Sequence, residues 1–333
     1  MAPTIFITGV TGYIGGHATL LMAAKHPEWQ INALVRDEAK AAAIKKAIPS
    51  VNTVIGSLSD LDILSQESAK ADVVLNLASA DDIPAIKAYL RGLSERPAGA
   101  KRFLIHTSGT GMLADFSTGA GNEAPRIYSD VDDVDEITSL PLTHFRRDVE
   151  LEVINGGEAL NVQTAIVSPP TIYGIGQGPL KNRSIQVPAL IHGVLSRGKS
   201  FTVGDGKNVW DLVHVDDVSR AFILLTEEAL KENGGAASWG KDGYYFTDAN
   251  EFRWVEIAQA VAKYLADKGV IPTAELDKLS PEESAKIHPW GPLIWGSNAR
   301  SRGQRLRKLG WKPESPTVFE ELPAMVEAER KQL

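Results

Sequence analysis

The chain contains no cysteine. That excludes a disulfide scaffold, thiolate zinc, iron–sulfur clusters and a cysteine nucleophile together. No apolar run approaches the roughly 18 residues that a membrane-crossing helix needs. No basic segment leads into an apolar one at the start either, where Thr4-Ile5-Phe6-Ile7-Thr8 reads as a strand. A cytoplasmic protein without a membrane partner is expected. Positive charge is in deficit: 35 Lys+Arg against 42 Asp+Glu leave a net charge of −7. An electronegative body repels phosphate chains, so no nucleic-acid partner is expected. The 7 histidines are scattered, without HxxxH or HExxH spacing, and no metal site is expected. Internal repeats and low-complexity linkers are also missing.

What is present is a chain of 333 residues, 43% hydrophobic and 23% charged. At roughly 100–200 residues per domain this predicts about two domains. The first half alternates β-branched runs with helical stretches, the pattern of a parallel sheet with crossover helices. Strands are expected at Thr4–Thr8, Ile31–Arg36, Thr53–Ile55, Val73–Ala78, Arg102–Thr107 and Val162–Ser168, and helices at Tyr13–Lys25, Asp37–Ala47, Asp60–Ala69, Ile83–Leu93 and Leu142–Ile154. Val73-Val74-Leu75 and Phe103-Leu104-Ile105 are continuous in apolar character, as strands covered on both faces are. From Pro169 to Gly178 the Pro- and Gly-rich chain reads as a loop leaving the sheet. Beyond it come helices at Ile185–Ser196, from Asp216, and at Phe252–Ala266, with a short strand at Trp210–Val215. The expected fold is α/β: a doubly wound parallel Rossmann sheet over 1–170 and a smaller mixed substrate lobe over 171–333, with about 205–235 returning to the first unit.

Thr8-Gly9-Val10-Thr11-Gly12-Tyr13-Ile14-Gly15 joins the first strand to the first helix. Gly9 permits a tight turn, Gly12 lets backbone N–H groups of Thr11, Tyr13 and Ile14 approach a diphosphate, and Gly15 lets helix and strand pack closely. The helix N-terminus adds partial positive charge for the phosphates. A nicotinamide dinucleotide is the expected cofactor. At the end of the second strand, Arg36 stands where an acid would bond the adenosine ribose. Arginine grips phosphate bidentately, which favours NADP. In the competing reading Arg36 faces solvent, Asp37 merely caps the next helix and NAD is the cofactor.

These residues resemble the extended short-chain dehydrogenase/reductase superfamily, that of the nucleotide-sugar epimerases and dehydratases, over nearly the whole chain. Thr8-Gly9-x-x-Gly12-x-x-Gly15 is similar to its TGxxGxxG. Gly56-Ser57-Leu58-Ser59-Asp60 resembles its GDLxD, with Ser57 replacing the acid that bonds adenine. Asn76-Leu77-Ala78-Ser79 resembles its fourth-strand HxAA. Ser168-Pro169-Pro170-Thr171-Ile172-Tyr173-Gly174 resembles its RPxxIYG, and Asp211 to Val218 its RDxVHVDDV. The resemblance implies that Ser57, Leu58, Leu77, Ala78, Ser79, Thr107, Pro169, Pro170 and Ile172 lie along the cofactor.

The catalytic motif departs. Such enzymes use Tyr, Lys four residues on, and Ser or Thr after the fifth strand; Lys lowers the Tyr pKa, and Tyr exchanges a proton with the substrate oxygen. Laid on YxxSKxxAE, His144-Phe145-Arg146-Arg147-Asp148-Val149-Glu150-Leu151-Glu152 puts His144 at the Tyr and Asp148 at the Lys position. Ser108 fits the Ser position, and no YxxxK occurs in this segment; the chain's one YxxxK, Tyr264-Leu265-Ala266-Asp267-Lys268, lies far downstream. In one reading His144 and Asp148 touch across one helical turn, His144 is a general acid and Ser108 orients the substrate oxygen. Alternatively Asp148 accepts a ribose hydroxyl. In the other reading redox chemistry is lost and the pair is structural.

The implied function is an atypical oxidoreductase acting on a small carbonyl or hydroxyl compound. A cofactor-binding sensor without turnover is the alternative, and a nucleotide-sugar epimerase or dehydratase the second. Helices flanking such sheets often pair, so a homodimer is a candidate state. The acidic run Tyr128–Glu136 reads as a solvated loop or helix start, and the basic run at Arg300, Arg302, Arg305, Arg307 and Lys308 as a solvated helix face. His17 and His214 read as satisfied core histidines.

Overall fold

The computed structural model describes residues 2–332. Four βα repeats and a fifth strand open the chain: strands Thr4–Thr8 (β1), Gln30–Val35 (β2), Asn52–Ile55 (β3), Val73–Asn76 (β4) and Phe103–Thr107 (β5) alternate with helices Tyr13–Lys25 (α1), Glu38–Ala47 (α2), Leu61–Lys70 (α3) and Ile83–Ser94 (α4). A 3-10 turn at Thr110–Leu113, strand Tyr128–Ser129 (β6), helices Val134–Ile137 (α5) and Arg147–Ala159 (α6), and strand Gln163–Ser168 (β7) follow. The remainder runs through Thr171–Tyr173 (β8), Gln186–Arg197 (α7), Ser200–Val203 (β9), Val209–His214 (β10), Val215–Leu230 (α8), Tyr244–Phe246 (β11) and Asn250–Arg253 (β12). It ends with Trp254–Asp267 (α9), Leu276–Leu279 (β13), Pro281–Ile287 (α10), Gly291–Gly296 (α11), Ser301–Arg302 (β14), Arg305–Lys308 (α12) and Val318–Arg330 (α13).

The large sheet has the order β11-β7-β5-β4-β1-β2-β3, and every neighbouring pair is parallel. Alternation along each strand explains the continuous apolar runs. Ile5 and Ile7 face one core with α1 and α8, while Phe6 faces another with α3, α4 and α6; Leu75 and Val74 divide the same way. Winding reverses between β1 and β4, so the crevice for a ligand opens outside their carboxyl ends. A third core gathers α7, α9, α13, Trp254 and Trp295 beside the three-stranded sheet β12-β10-β8. Among the described residues no helix is long and apolar enough to cross a membrane.

Several expected elements shift. The Pro169–Gly178 loop contains β8, which pairs in parallel with β10. The helix expected from Leu142 begins at Arg147, because Arg146 adopts φ 65°, a left-handed conformation that cannot propagate a helix through it. The basic run is not a helix face. Its Ser301–Arg302 strand pairs with β6, and only Arg305–Lys308 is helical. Nor is the acidic run merely solvated: Asp130 is fully buried, and its carboxylate accepts from the backbone N–H groups of Gln304 (2.7 Å), Arg305 (3.2 Å) and Phe246 (3.3 Å). The two runs are clamped together. His17 is buried, its Nδ1 accepting from Gln177 N at 2.9 Å and its Nε2 lying 2.6 Å from Asp216. His214 Nδ1 accepts from Asp216 N (3.2 Å) at the start of α8.

Candidate functional site

The glycine turn is built from backbone constraints. Gly9 has φ 92°, and a Cβ there would lie 2.3 Å from Leu77 O, so the turn rests against the end of β4. A Cβ on Gly15 would lie 2.2 Å from Gly9 O, which is the close helix–strand approach the sequence called for. Gly12 begins α1 with its N–H on Gly9 O (2.8 Å), no side chain caps the helix, and its first turn holds no acid. Thr11, Gly12, Tyr13 and Ile14 therefore leave a bare helix N-terminus. The Tyr13 hydroxyl turns away from it, reaching Tyr173 O (2.9 Å) and Gly174 O (2.7 Å), so this side chain staples the turn to β8.

At the far end of the turn Asp37 caps α2, accepting from Lys40 N at 2.8 Å, while Arg36 is exposed and has no ion-pair partner among the described residues. The capping part of the competing reading holds, and the Arg36 cation remains free beside it. Ser57 donates its N–H (2.7 Å) and hydroxyl (2.8 Å) to Asp60, and Leu58 packs on the α3–α4 core. Leu77 is buried and Ala78 exposed; Ser79 lends its carbonyl to Asn76 Nδ2 (2.9 Å).

Asn76 is the hub of a buried polar row across β1, β4 and β5. Its Oδ1 accepts from the Thr8 hydroxyl (3.2 Å), which accepts from the Tyr89 hydroxyl (3.2 Å), and its Nδ2 donates to His106 Nδ1 (3.0 Å). Burial pulls the His106 pKa down to about 3, so the ring is neutral. Thr107 is buried. Pro169 and Pro170 are buried too, Pro169 O accepts from Thr110 N (3.0 Å), and Ile172 packs on the first core.

The side chains at the end of β5 differ from expectation. Ser108 is buried, and its hydroxyl donates to Glu150 Oε1 at 2.6 Å. The same oxygen accepts from the Tyr244 hydroxyl (2.9 Å), and Arg147 Nη1 reaches Glu150 Oε2 at 3.2 Å. Arg147, Glu150 and Tyr244 are all inaccessible to solvent. Arg147 also donates to the carbonyls of Thr138 and Leu140. Burial pushes the Glu150 carboxyl above its ordinary range against the pull of Ser108, Tyr244 and Arg147. Glu150 was legible in principle: it shares the apolar stripe of α6 with Val153, Ile154 and Gly157, a costly place for a charge unless it is paired.

His144 lies outside α6, in the turn before it. Its Nδ1 donates to Met112 O (2.8 Å), and no hydrogen bond or ion pair joins it to Asp148. Asp148 is exposed in the first turn, its Oδ1 accepting from Val149 N at 2.9 Å. The contact expected across one helical turn is thus absent, because the left-handed Arg146 intervenes. Arg146 instead forms a two-point pair with Asp81 (2.8 and 3.3 Å), tying the entry of α6 to the loop after β4.

A model of the NAD dependent epimerase/dehydratase family matches residues 121–237, and one of the NmrA-like family matches residues 1–91. A protein of Acremonium sp, "Oxidase ucsJ", is 34% identical over 345 residues, covering 100% of this chain and 99% of that one. The chain belongs to the NAD-dependent epimerase/dehydratase family. An uncharacterized protein of Schizosaccharomyces pombe is 28% identical over 330 residues, covering 96% of this chain and 97% of its own length. Among solved structures, a dTDP-glucose 4,6-dehydratase of Bacillus anthracis in complex with NAD superposes with TM-score 0.69 at 16% identity, over 99% of this chain and 97% of that one. A UDP-glucose 4-epimerase of Thermotoga maritima gives TM-score 0.64 at 16% identity and 99% coverage of both chains.

This family's Rossmann sheet is the one observed here, and NAD(P) fits the chain at its first turn. The glycines that a Cβ would jam and the uncapped α1 terminus leave the room and the free N–H groups that a diphosphate would need. The family's Tyr–Lys pair, by contrast, has no counterpart on α6, whose buried face carries Arg147 and Glu150.

Proposed function

We propose that the protein is an oxidoreductase that uses NADP(H) in preference to NAD(H) and acts on a small hydroxyl or carbonyl compound. One observation carries the reading: the glycine turn after β1 lies at the same carboxyl edge of the sheet as Ser108 after β5, with only β4 between the two strands. Thr11, Gly12, Tyr13 and Ile14 would hold the diphosphate by their backbone, Arg36 the adenosine phosphate, and Ser57 and Leu58 the adenine side. Leu77, Ala78, Ser79, Thr107, Pro169, Pro170 and Ile172 would follow the dinucleotide toward its reactive end. When bound, the nicotinamide exchanges a hydride with the substrate carbon. The third core, with α7, α9 and α13, would form the substrate side of the crevice.

Ser108 orients the reacting oxygen in this reading. His144 has no carboxylate partner in Asp148; with Nδ1 committed to Met112 O, only Nε2 is left for proton exchange. Asp148, exposed at the start of α6, retains at most the ribose-hydroxyl role. The name of the Acremonium relative supports redox chemistry. An epimerase or dehydratase is disfavoured because that chemistry leans on the missing Tyr and Lys.

A sensor that binds without turnover is favoured by one observation, the absent contact between His144 and Asp148. Calorimetry with the four oxidised and reduced pyridine nucleotides, followed by a carbonyl and alcohol panel, separates the readings. An enzyme binds NADPH and consumes it with some member; binding of both redox forms without consumption selects the sensor. Turnover left unchanged by His144→Phe would remove His144 from the chemistry.

A further inference from the structure

We propose that Ser108 and Glu150 form the proton-transfer pair that stands in for the family's tyrosine and lysine. The inference deepens the oxidoreductase reading and rests on it. Its starting point is the direction of one hydrogen bond. A carboxylate only accepts, so the single proton of the Ser108 hydroxyl is donated to Glu150 Oε1, at 2.6 Å. Among the described residues no donor reaches Ser108 Oγ in return. Its lone pairs are left for a hydroxyl arriving from the crevice.

A structural role for Glu150 as the counter-charge of Arg147 explains only half of the carboxylate. Arg147 takes Oε2 at 3.2 Å and is otherwise held by two carbonyls. Oε1 faces the other way, toward the residue that follows β5. A buried ion pair is also a poor stabiliser compared with an apolar pair of the same size, so stability alone is a weak reason for it. The groups facing the carboxylate have opposed effects: burial favours its protonated form, while Ser108, Tyr244 and Arg147 favour the charged one. A carboxyl balanced in this way can take up a proton and release it again.

The step balances as follows. In oxidation of an alcohol, the O–H electron pair becomes the second C–O bond and the C–H pair leaves as hydride to the pyridinium acceptor. The substrate's hydroxyl proton passes to Ser108 Oγ while the Ser108 proton passes to Glu150 Oε1. Glu150 ends neutral beside Arg147, and reduction of a carbonyl runs the same path backward. Ser108 touches substrate in this scheme; Glu150 acts through it.

The test combines a readout on the free protein with turnover. The infrared carbonyl stretch of a buried protonated carboxyl is followed against pH. Buried Asp130, Asp211 and Asp248 also favour the protonated form, so the Glu150 band is read as the part missing in Glu150→Gln. It should vanish only above the ordinary glutamate range and move to higher pH in Ser108→Ala, which loses a bond to the charged form. With NADP+ and small secondary alcohols, Glu150→Gln and Ser108→Ala should each lower kcat by about 100-fold or more, with Glu150→Asp partly restoring it. Nucleotide affinity by calorimetry should stay put. Ser108→Ala guards against a Glu150→Gln variant that fails to fold, since it leaves the ion pair intact. A folded Glu150→Gln protein turning over at the wild-type rate overturns the pair and spares the oxidoreductase reading, as does a Ser108→Ala variant whose Glu150 band titrates as in the wild type. A wild-type protein that binds no pyridine nucleotide, or turns over no alcohol or carbonyl, brings down both.

Discussion

The two ends of the crevice are built by different means. At the β1–α1 end the work is done by backbone: glycines without Cβ, a bare helix terminus and a turn resting on Leu77. At the β5–α6 end it is done by side chains, where Ser108, Arg147, Glu150 and Tyr244 interlock without solvent. Backbone geometry admits one residue type, so the glycine spacing survives intact. Side-chain chemistry can be re-solved with other residues, and α6 carries neither Tyr nor Lys.

The backbone end should break hardest. Gly15→Ala puts a Cβ about where Gly9 O sits, 2.2 Å away, and Gly9→Ala adds a residue at φ 92° facing Leu77 O at 2.3 Å. Each should destabilise by more than about 4 kcal/mol and abolish nucleotide binding; thermal unfolding and calorimetry read both. At the side-chain end, Arg147→Met strands a buried carboxylate and should cost about 3–5 kcal/mol in denaturant unfolding. The double variant Arg147→Met/Glu150→Leu should recover most of that loss while remaining inactive. Full activity in the double variant would show that the network is scaffolding only.

Acid should separate the regions further. His106 has a folded pKa of about 3 against about 6.5 unfolded, so its contribution is complete above pH 6.5. It falls by about 1.4 kcal/mol per pH unit below that, because the unfolded state then binds the proton. Asp130, with its pKa raised to about 6 by burial, acts oppositely. It stabilises fully below the unfolded value of about 3.9, and that contribution is lost as pH rises through 6. His106→Leu should therefore flatten the stability loss between pH 6.5 and 5, and Asp130→Asn should deepen it. A pH profile unmoved by His106→Leu would contradict the neutral, buried ring. A smaller effect is expected at Arg36, which is exposed and has no ion-pair partner among the described residues. Arg36→Ala should reduce the NADP-over-NAD affinity ratio by about tenfold, and an unchanged ratio would return Arg36 to the solvent-facing reading.

Most of the central sheet was legible because strands covered on both faces announce themselves as apolar runs, as Val73–Leu75 and Phe103–Ile105 do. The short pairings were not. β8 hides in a Pro-rich stretch, and β6 with β14 are two residues each, held by contacts between distant segments. The glycine turn could be read from spacing since each glycine answers a local demand. The β5–α6 end resisted because aligning His144 and Asp148 with Tyr and Lys assumed one uninterrupted helix. Arg146 at φ 65° breaks that assumption, and a positive φ at arginine leaves no trace in composition or periodicity. Glu150 lay on the apolar stripe of α6, but its partners Ser108, just after β5, and Tyr244, in β11, are brought together only by the fold.

The mildest substitution tests the comparison most finely. Asp148 occupies the aligned lysine position, yet it is exposed and its Oδ1 bonds only the N–H of the next residue. A carboxylate in the first turn of a helix gains a few tenths of a kcal/mol from the helix dipole. Asp148→Asn should therefore lower stability by no more than about 0.5 kcal/mol and leave nucleotide affinity and kcat near wild type. If it instead lowers kcat tenfold with stability intact, the start of α6 is doing the lysine's work on the ribose. The chemistry would then be divided between an exposed carboxylate and the buried Ser108–Glu150 pair, and the β5–α6 end would have kept its old position while changing only its residue.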